Sequence, residues 1–386
     1  MEFELNDELR QIYQYGDSLA QKFDFHYWLE HARAHTFPTE MFKQIAEDGF
    51  LGMMVPEEYG GAGLGMQEMS LFMEGTANNG IPLLMMVVGP CMAMSHLASH
   101  GTDFHKKEIL PAACRGDMQL CFAITEPGAG SNSMQITTIA KPKGDRFSLS
   151  GEKTFITGAD LADYCLVVAR TTPFGDVAQK TDGFTIFLVD LKKKGVDMQR
   201  VKIAVPVPEQ QWTLFFDEVD LGPEDVVGEV DKGFNILFDT LNPERITVAG
   251  MCAGVGRYAL GRAVEYASER KVFGQPIGAH QGLQHPLAKA KANIELASLM
   301  ARKAAWQFDK GLAAGEASNM AKYAAAEAGI EAVDAAIQAF GGSAYTEDTG
   351  IFEMYPMLRV LRTAPVNREL CLSFIGEKVM GLPRSY

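Results

Sequence analysis

The sequence predicts an α+β chain. An N-terminal α-helical bundle is expected over 1–118, a central antiparallel β domain over 119–232 and a C-terminal four-helix bundle over 233–386. Three observations carry this. Apolar residues recur at helical spacing up to about residue 118 and again from Gly233 onward. Short β-rich runs broken by turns fill the stretch between. No helix of about ten residues or more divides those runs, which excludes a Rossmann βαβ unit there; the strands should close or sandwich among themselves.

In the first region Leu9, Ile12, Tyr13 and Leu19 recur at helical spacing, as do Met41, Phe42, Ile45 and Ala46. The loop Val55–Gly63 (VPEEYGGAG) has glycines but no preceding strand and no following Gly-Lys-Ser/Thr, so it reads as a connector. The run Leu83–Val88 (LLMMVV) suits core packing, with an adaptable ligand wall as the other reading. In the middle region the runs are Ile136–Ile139, Phe147–Leu149, Cys165–Ala169, Phe184–Val189 and Leu214–Phe216. Gly144–Asp145 and Asp182–Gly183 supply turns. In the last region long amphipathic segments cover roughly 233–270, 280–311, 315–341 and 352–380. Tyr323, Ala326, Ile330, Val333 and Ile337 form one stripe of the third.

Composition bounds the function. The 386 residues allow two or three domains, and 47% apolar with 22% charged residues describes an ordinary globular protein. A net charge of −14 argues against nucleic-acid or acidic-membrane partners. No window reaches the ~18 apolar residues of a membrane span. The six cysteines form no C-x-x-C pair, so no metal site is indicated and buried free thiols of a reducing compartment are expected. The acidic N-terminus has no apolar targeting region, which points to a cytoplasmic protein.

The stretch Phe122–Asn132 begins as a β run and breaks at Glu126–Pro127–Gly128. Proline removes a backbone donor and glycine lets the chain pass close to a ligand. The hydroxyls of Thr125 and Ser131 then flank a cradle for a flat, hydrogen-bonding ligand; a tight turn between two strands is the plainer reading.

Four motifs in order give this stretch a context. They are Ala123–Asn132 (AITEPGAGSN), Gly151–Thr157 (GEKTFIT), Arg270–Gly274 (RKVFG) with Gln281, and Gln338–Gly342 (QAFGG). Together they resemble the acyl-CoA dehydrogenase family over essentially the whole chain, with Asn132 and Phe155 standing where the family usually has Asp and Trp. The resemblance implies FAD as cofactor and an acyl-CoA thioester as substrate. Phe122, Thr125, Ser131, Phe155, Thr157 and Asn367 would then line the flavin, Thr157 at N5, with Ser131 also reaching the substrate. Arg270, Phe273, Gln281, Gln338, Gly341 and Gly342 would hold the FAD of a neighbouring subunit in a homotetramer or homodimer, and an electron-transfer flavoprotein would accept the electrons.

The reaction needs a carboxylate to take the α-proton. Many family members carry it near the C-terminus, where this chain has Ala364–Asn367 (APVN) and places Pro365 at the critical position. The segment Leu241–Ile246 (LNPERI) resembles the isovaleryl- and long-chain-type branch, which implies Glu244 as base and Arg245 as a substrate-pocket residue. Asn242 is expected to cap a helix with Pro243 in its first turn; the dipole would then lower the pKa of Glu244 while burial would raise it. A capping carboxylate paired with Arg245 is the plainer role for Glu244, and Glu369 is a rival base. Two further readings stay open: a reductase of enoyl-CoA or crotonobetainyl-CoA type, and an inactive flavoprotein that binds acyl-CoA.

Overall fold

The computed structural model describes residues 4–384. The N-terminal region is helical: α1 (Asp7–Phe23), α2 (Phe25–Ala34), α3 (Thr39–Glu47), α4 (Met66–Ala77), α5 (Leu84–Met86), α6 (Ser95–His100) and α7 (Leu110–Cys114). Asn6 caps α1 by accepting the Leu9 amide at 2.8 Å. Val55–Gly63 connects α3 to α4, as its sequence suggests. Val87–Met94 continues α5 as a π-helix with Pro90 inside it. Met85, Met86, Met92 and Met94 are buried, so this run is core packing.

Eight strands make the central sheet: β1 (Leu120–Ala123), β2 (Ile139–Lys143), β3 (Arg146–Thr157), β4 (Tyr164–Arg170), β5 (Phe184–Asp190), β6 (Val196–Val201), β7 (Gln211–Leu221) and β8 (Val226–Val227). Their order is β6-β7-β3-β2-β4-β5-β8, with β1 on β4. Pairing is antiparallel except that β1 and β2 both lie parallel to β4. The expected run Ile136–Ile139 is strand only from Ile139, because the amides of Thr137 and Thr138 go to the Glu126 carboxylate instead of a ladder.

β4 and β5 are buried on both faces along most of their length, which suits their largely apolar sequences. Leu166, Val168, Ile186 and Leu188 pack toward the helices. Cys165, Val167, Phe187 and Val189 alternate with them and pack against Leu149, Leu214 and Val219 of β3 and β7. The sheet thus folds over itself around a second core, as the absence of intervening helices requires.

The C-terminal region holds α8 (Gly233–Glu269), α9 (Gln281–Asp309), α10 (Gly315–Phe340), α11 (Ile351–Thr363) and α12 (Arg368–Phe374), with a two-residue hairpin Lys271–Val272 and Gln275–Pro276 after α8. The expected helix 352–380 is split at Ala364–Asn367, since Ala364, ahead of Pro365, takes extended backbone (φ −117°, ψ 154°) and Asn367 starts a new cap, accepting the Leu370 amide at 2.8 Å. α8 is buried almost all round from Arg245 to Gly256. The buried face of α10 is built mainly of alanines, and Tyr323, Ile330 and Ile337 sit half-buried at its margin. Among the described residues no helix is long and apolar enough to cross a membrane.

Candidate active site

β1 ends in a loop that closes on itself. Glu126 and Ala129 exchange backbone hydrogen bonds at 3.2 and 3.0 Å across the Pro127–Gly128 tip. The stretch is therefore a tight turn, yet its outer side is open: a side chain on Gly128 or Gly130 would meet nothing within 4 Å. Ser131 is exposed and accepts a hydrogen bond from Asn367 Nδ2 at 2.7 Å. Two residues far apart in sequence, both predicted at the site, thus meet. The Thr125 carbonyl accepts the Thr154 amide at 2.9 Å, which ties the loop to β3. The Phe122 side chain, by contrast, lies in the core.

β3 carries a register shift against β7 between Lys153 and Ile156. Phe155 sits in it with φ +58° and 60% of its surface exposed. A left-handed aromatic residue is a backbone outlier, and bulges re-aim side chains. Here the bulge turns a phenylalanine out of the sheet. Thr157, at the strand's end, is paired with Gln211, whose Nε2 donates to its hydroxyl at 3.0 Å.

The expected helix start at Asn242 is overturned. α8 begins at Gly233, so Pro243 lies inside it and Glu244 about three turns from its N-terminus. The helix dipole acts only within the first turn and gives Glu244 no support. Burial pushes its carboxyl up to about 8, against the pull of Arg245 and Lys322. Among the described residues nothing donates a hydrogen bond to it. Arg245 is buried, and its Nη1 donates to the Leu241 carbonyl at 2.9 Å and to Asn242 Oδ1 at 3.3 Å. It does not pair with Glu244 as a surface capping pair would, and its Nε is buried without a partner.

The wall between these parts is the Met85–Met94 stretch. Met85 packs on Gly158, where an added Cβ would lie 2.3 Å from its sulfur. Cys91 Sγ lies 3.0 Å from Thr247 Oγ1, one turn past Glu244. A helical path from Met85 to Cys91 spans roughly 9 Å, so the end of β3 and Glu244 border the same wall. α12 closes the other side: Asn367 holds Ser131, and Cys371, one turn on, lies within the electrostatic reach of Arg245 and Lys322. Sequence reading missed Lys322 and Gln211; a lone lysine inside the small apolar run Ala321–Ala326 was the available signal.

Arg270, Phe273, Gln281, Gln338, Gly341 and Gly342 are all exposed, Phe273 at 93%. Tyr266 stacks on Phe340 with centroids 4.4 Å apart, which brings the ends of α8 and α10 together. Among the described residues no hydrogen bond, ion pair or ring contact joins this group to Phe155, Thr157 or Ser131 of the same chain.

Family comparison decides the wider identity. The chain matches "Acyl-CoA dehydrogenase, N-terminal domain" over residues 6–117, the middle domain over 121–219 and the C-terminal domain over 231–380. The chain belongs to the acyl-CoA dehydrogenase family. Members of this family are oxidoreductases acting on CH–CH groups. The chain is similar to the acyl-CoA dehydrogenase FadE12 of Mycobacterium tuberculosis, 44% identical over 373 residues, covering 96% of this chain and 95% of that protein. It is also 36% identical over 331 residues to a 3-(aryl)acrylate reductase of Clostridium sporogenes, covering 84% and 86%. The solved glutaryl-coenzyme A dehydrogenase glutaryl-CoA complex superposes with TM-score 0.93 at 27% identity, covering 100% of this chain and 98% of that one.

Proposed function

We propose that this acyl-CoA dehydrogenase family member desaturates an acyl-CoA thioester to the trans-2-enoyl-CoA, with Glu244 taking the α-proton. The observation that carries this is the Glu244 carboxyl: desolvated, free of hydrogen-bond donors among the described residues, and beside a buried arginine with an unpartnered Nε. Such a carboxyl is a stronger base than an exposed one once ionised. Arg245, anchored to Leu241 and Asn242, presents its remaining donors to the substrate. Ser131, held by Asn367, does the same from the loop.

The residues present fit FAD. The outward-turned Phe155 offers a stacking face. Gly128 and Gly130 leave room for close approach, and Thr125 and Thr157 supply hydroxyls. We assign the flavin ring to Thr125, Ser131, Phe155, Thr157 and Asn367, with Phe122 supporting from the core. When bound, the flavin supplies the acceptor for the β-hydrogen at N5. The exposed group Arg270, Phe273, Gln281, Gln338, Gly341 and Gly342 is assigned to the FAD of a neighbouring subunit in a homotetramer or homodimer. Its lack of contacts to the same chain's Phe155 and Thr157 supports that reading. Electron-transfer flavoprotein is the proposed acceptor. Six unpaired buried cysteines support a cytoplasmic setting.

Phe155→Ala is expected to weaken FAD retention by about 1 kcal/mol, roughly fivefold. The thermal midpoint of the FAD-free protein should stay unchanged, because the ring is already exposed. Flavin fluorescence in a dilution series reads this.

The likeness to a 3-(aryl)acrylate reductase favours a second reading, reduction of an enoyl thioester on the same site. Anaerobic mixing of the holoenzyme with a panel of saturated acyl-CoAs separates the two. Bleaching of the flavin absorbance by at least one of them is the expected result. Reoxidation of reduced flavin by enoyl-CoAs without any bleaching by saturated ones would make it a reductase. Binding without either change would make it an inactive acyl-CoA-binding protein.

A further inference from the structure

We propose that Lys322 is a positioning residue for this reaction, its buried ammonium supplying positive charge that favours the ionised form of the Glu244 carboxyl in an apolar setting. The inference rests on Glu244 being the base. Lys322 is 1% exposed. Among the described residues its one hydrogen bond is a long one, Nζ to the Arg362 carbonyl at 3.3 Å. Among the described residues no carboxylate lies within ion-pair distance of it. The next acid along α10, Glu327, is committed to Arg362 at 2.7 Å. A buried ammonium so poorly satisfied is costly to keep, and packing alone would be served better by methionine.

The helix geometry shows what this charge faces. α8 and α10 touch closely where an added Cβ on Gly256 would lie 3.2 Å from Gly329 Cα. One on Gly329 would lie 2.9 Å from the Cys252 carbonyl oxygen. Both helices continue in the same direction to the Tyr266–Phe340 stack. Two turns before that contact, Arg245 stands on α8 and Lys322 on α10. Glu244 adjoins Arg245, so the two cations flank it from different helices.

Of the other groups around the pair, the thiols carry no charge. Cys252 of α8 and Cys91 of the Val87–Met94 helix are held neutral by burial, both pushed up to about 12. Cys371 of α12 is raised by burial as well. Arg245 is the remaining charge and pulls harder on Glu244 than Lys322 does, with its Nη1 turned to Leu241 and Asn242; Lys322 adds to it from the neighbouring helix. Lys322 lowers the proton affinity of Glu244; burial lowers that of Lys322, with Cys371, Cys252 and Glu244 opposing in part.

The test compares Lys322→Met and Lys322→Arg in the holoenzyme. With Met, the acid limb of the kcat–pH profile should move up by about one unit. Turnover near neutral pH then falls about tenfold and recovers at alkaline pH, with KM unchanged, while Arg restores the original profile. The infrared carboxylic-acid C=O band that vanishes in Glu244→Gln should shift its titration midpoint by the same amount. Should Lys322→Met fail to fold, Lys322→Gln carries the same expectation. An unmoved midpoint, or a loss of turnover equal at every pH, overturns the inference. Full turnover in Glu244→Gln would instead sink the underlying assignment of the base, so the two failures are distinct.

Discussion

Glu244→Gln is expected to cut turnover by about 10²–10⁴-fold while the flavin stays bound. Glutamine keeps the shape of the side chain and removes its ability to take a proton. No hydrogen bond is lost, because the carboxyl accepts none among the described residues. As the proposed base, Glu244 works only in its ionised form, so activity should rise with pH through about 8, to which burial has raised the group from its ordinary value of 4.5. The same shift acts on stability with the opposite sign. Between 4.5 and about 8 the unfolded chain has released this proton and the folded chain holds it, so folding weakens as pH rises through that window. Glutamine escapes the penalty, and the variant should gain about 1–3 kcal/mol at alkaline pH. A variant both slower and more stable is the signature of a functional buried carboxylate. The rival Glu369 is exposed and pairs with Arg368 at 2.8 Å. Its own amide and Arg368 hold its carboxyl below the usual range. Glu369→Gln should therefore turn over normally. Near-normal turnover in Glu244→Gln would return the role of base to another residue.

Much of this architecture was legible because it is set by period and punctuation. The alternation of β4 and β5 was hidden in continuous apolar runs, yet the missing helices between strands sufficed to predict a sheet folded on itself. What stayed hidden depends on neighbours distant in sequence. Asn-Pro reads as a helix start, and only the packing of α8 against α4, α9 and α10 makes a helix run through Pro243. Ser131 and Asn367 were each named, but not their contact. Phe155 was named for the flavin by its motif, but not the bulge in β3 that turns it outward. Lys322 carried no motif at all. The role proposed for it rests on the carboxyl of the neighbouring helix and on the lack, among the described residues, of any paired acid, and neither is a property of local sequence.

Lys153→Met should destabilise the β domain by about 3–5 kcal/mol. Lys153 is fully buried on β3 and donates to Glu126 Oε1 at 2.8 Å and to the Ile124 carbonyl at 3.0 Å. Glu126 also accepts from the Thr137 amide at 2.6 Å, the Thr137 hydroxyl at 2.8 Å and the Thr138 amide at 2.9 Å. One carboxylate thus fastens the loop after β1, the approach to β2 and the middle of β3. Burial alone would raise its pKa, but Lys153 and the threonine donors outweigh this and hold it at about 2. Its contribution is accordingly present above the ordinary value of 4.5 and lost as pH falls toward about 2. Methionine fills the space and leaves that charge without its cation, so the loop from Glu126 to Ser131 loses its anchor at the point where the cofactor is assigned. A thermal midpoint lowered by several degrees together with weaker FAD retention is expected. The double variant Lys153→Met/Glu126→Gln should recover part of the loss, since an uncompensated charge costs more than an absent pair. If the single variant unfolds like the parent, the pair is ornamental and the loop is held by its backbone turn alone.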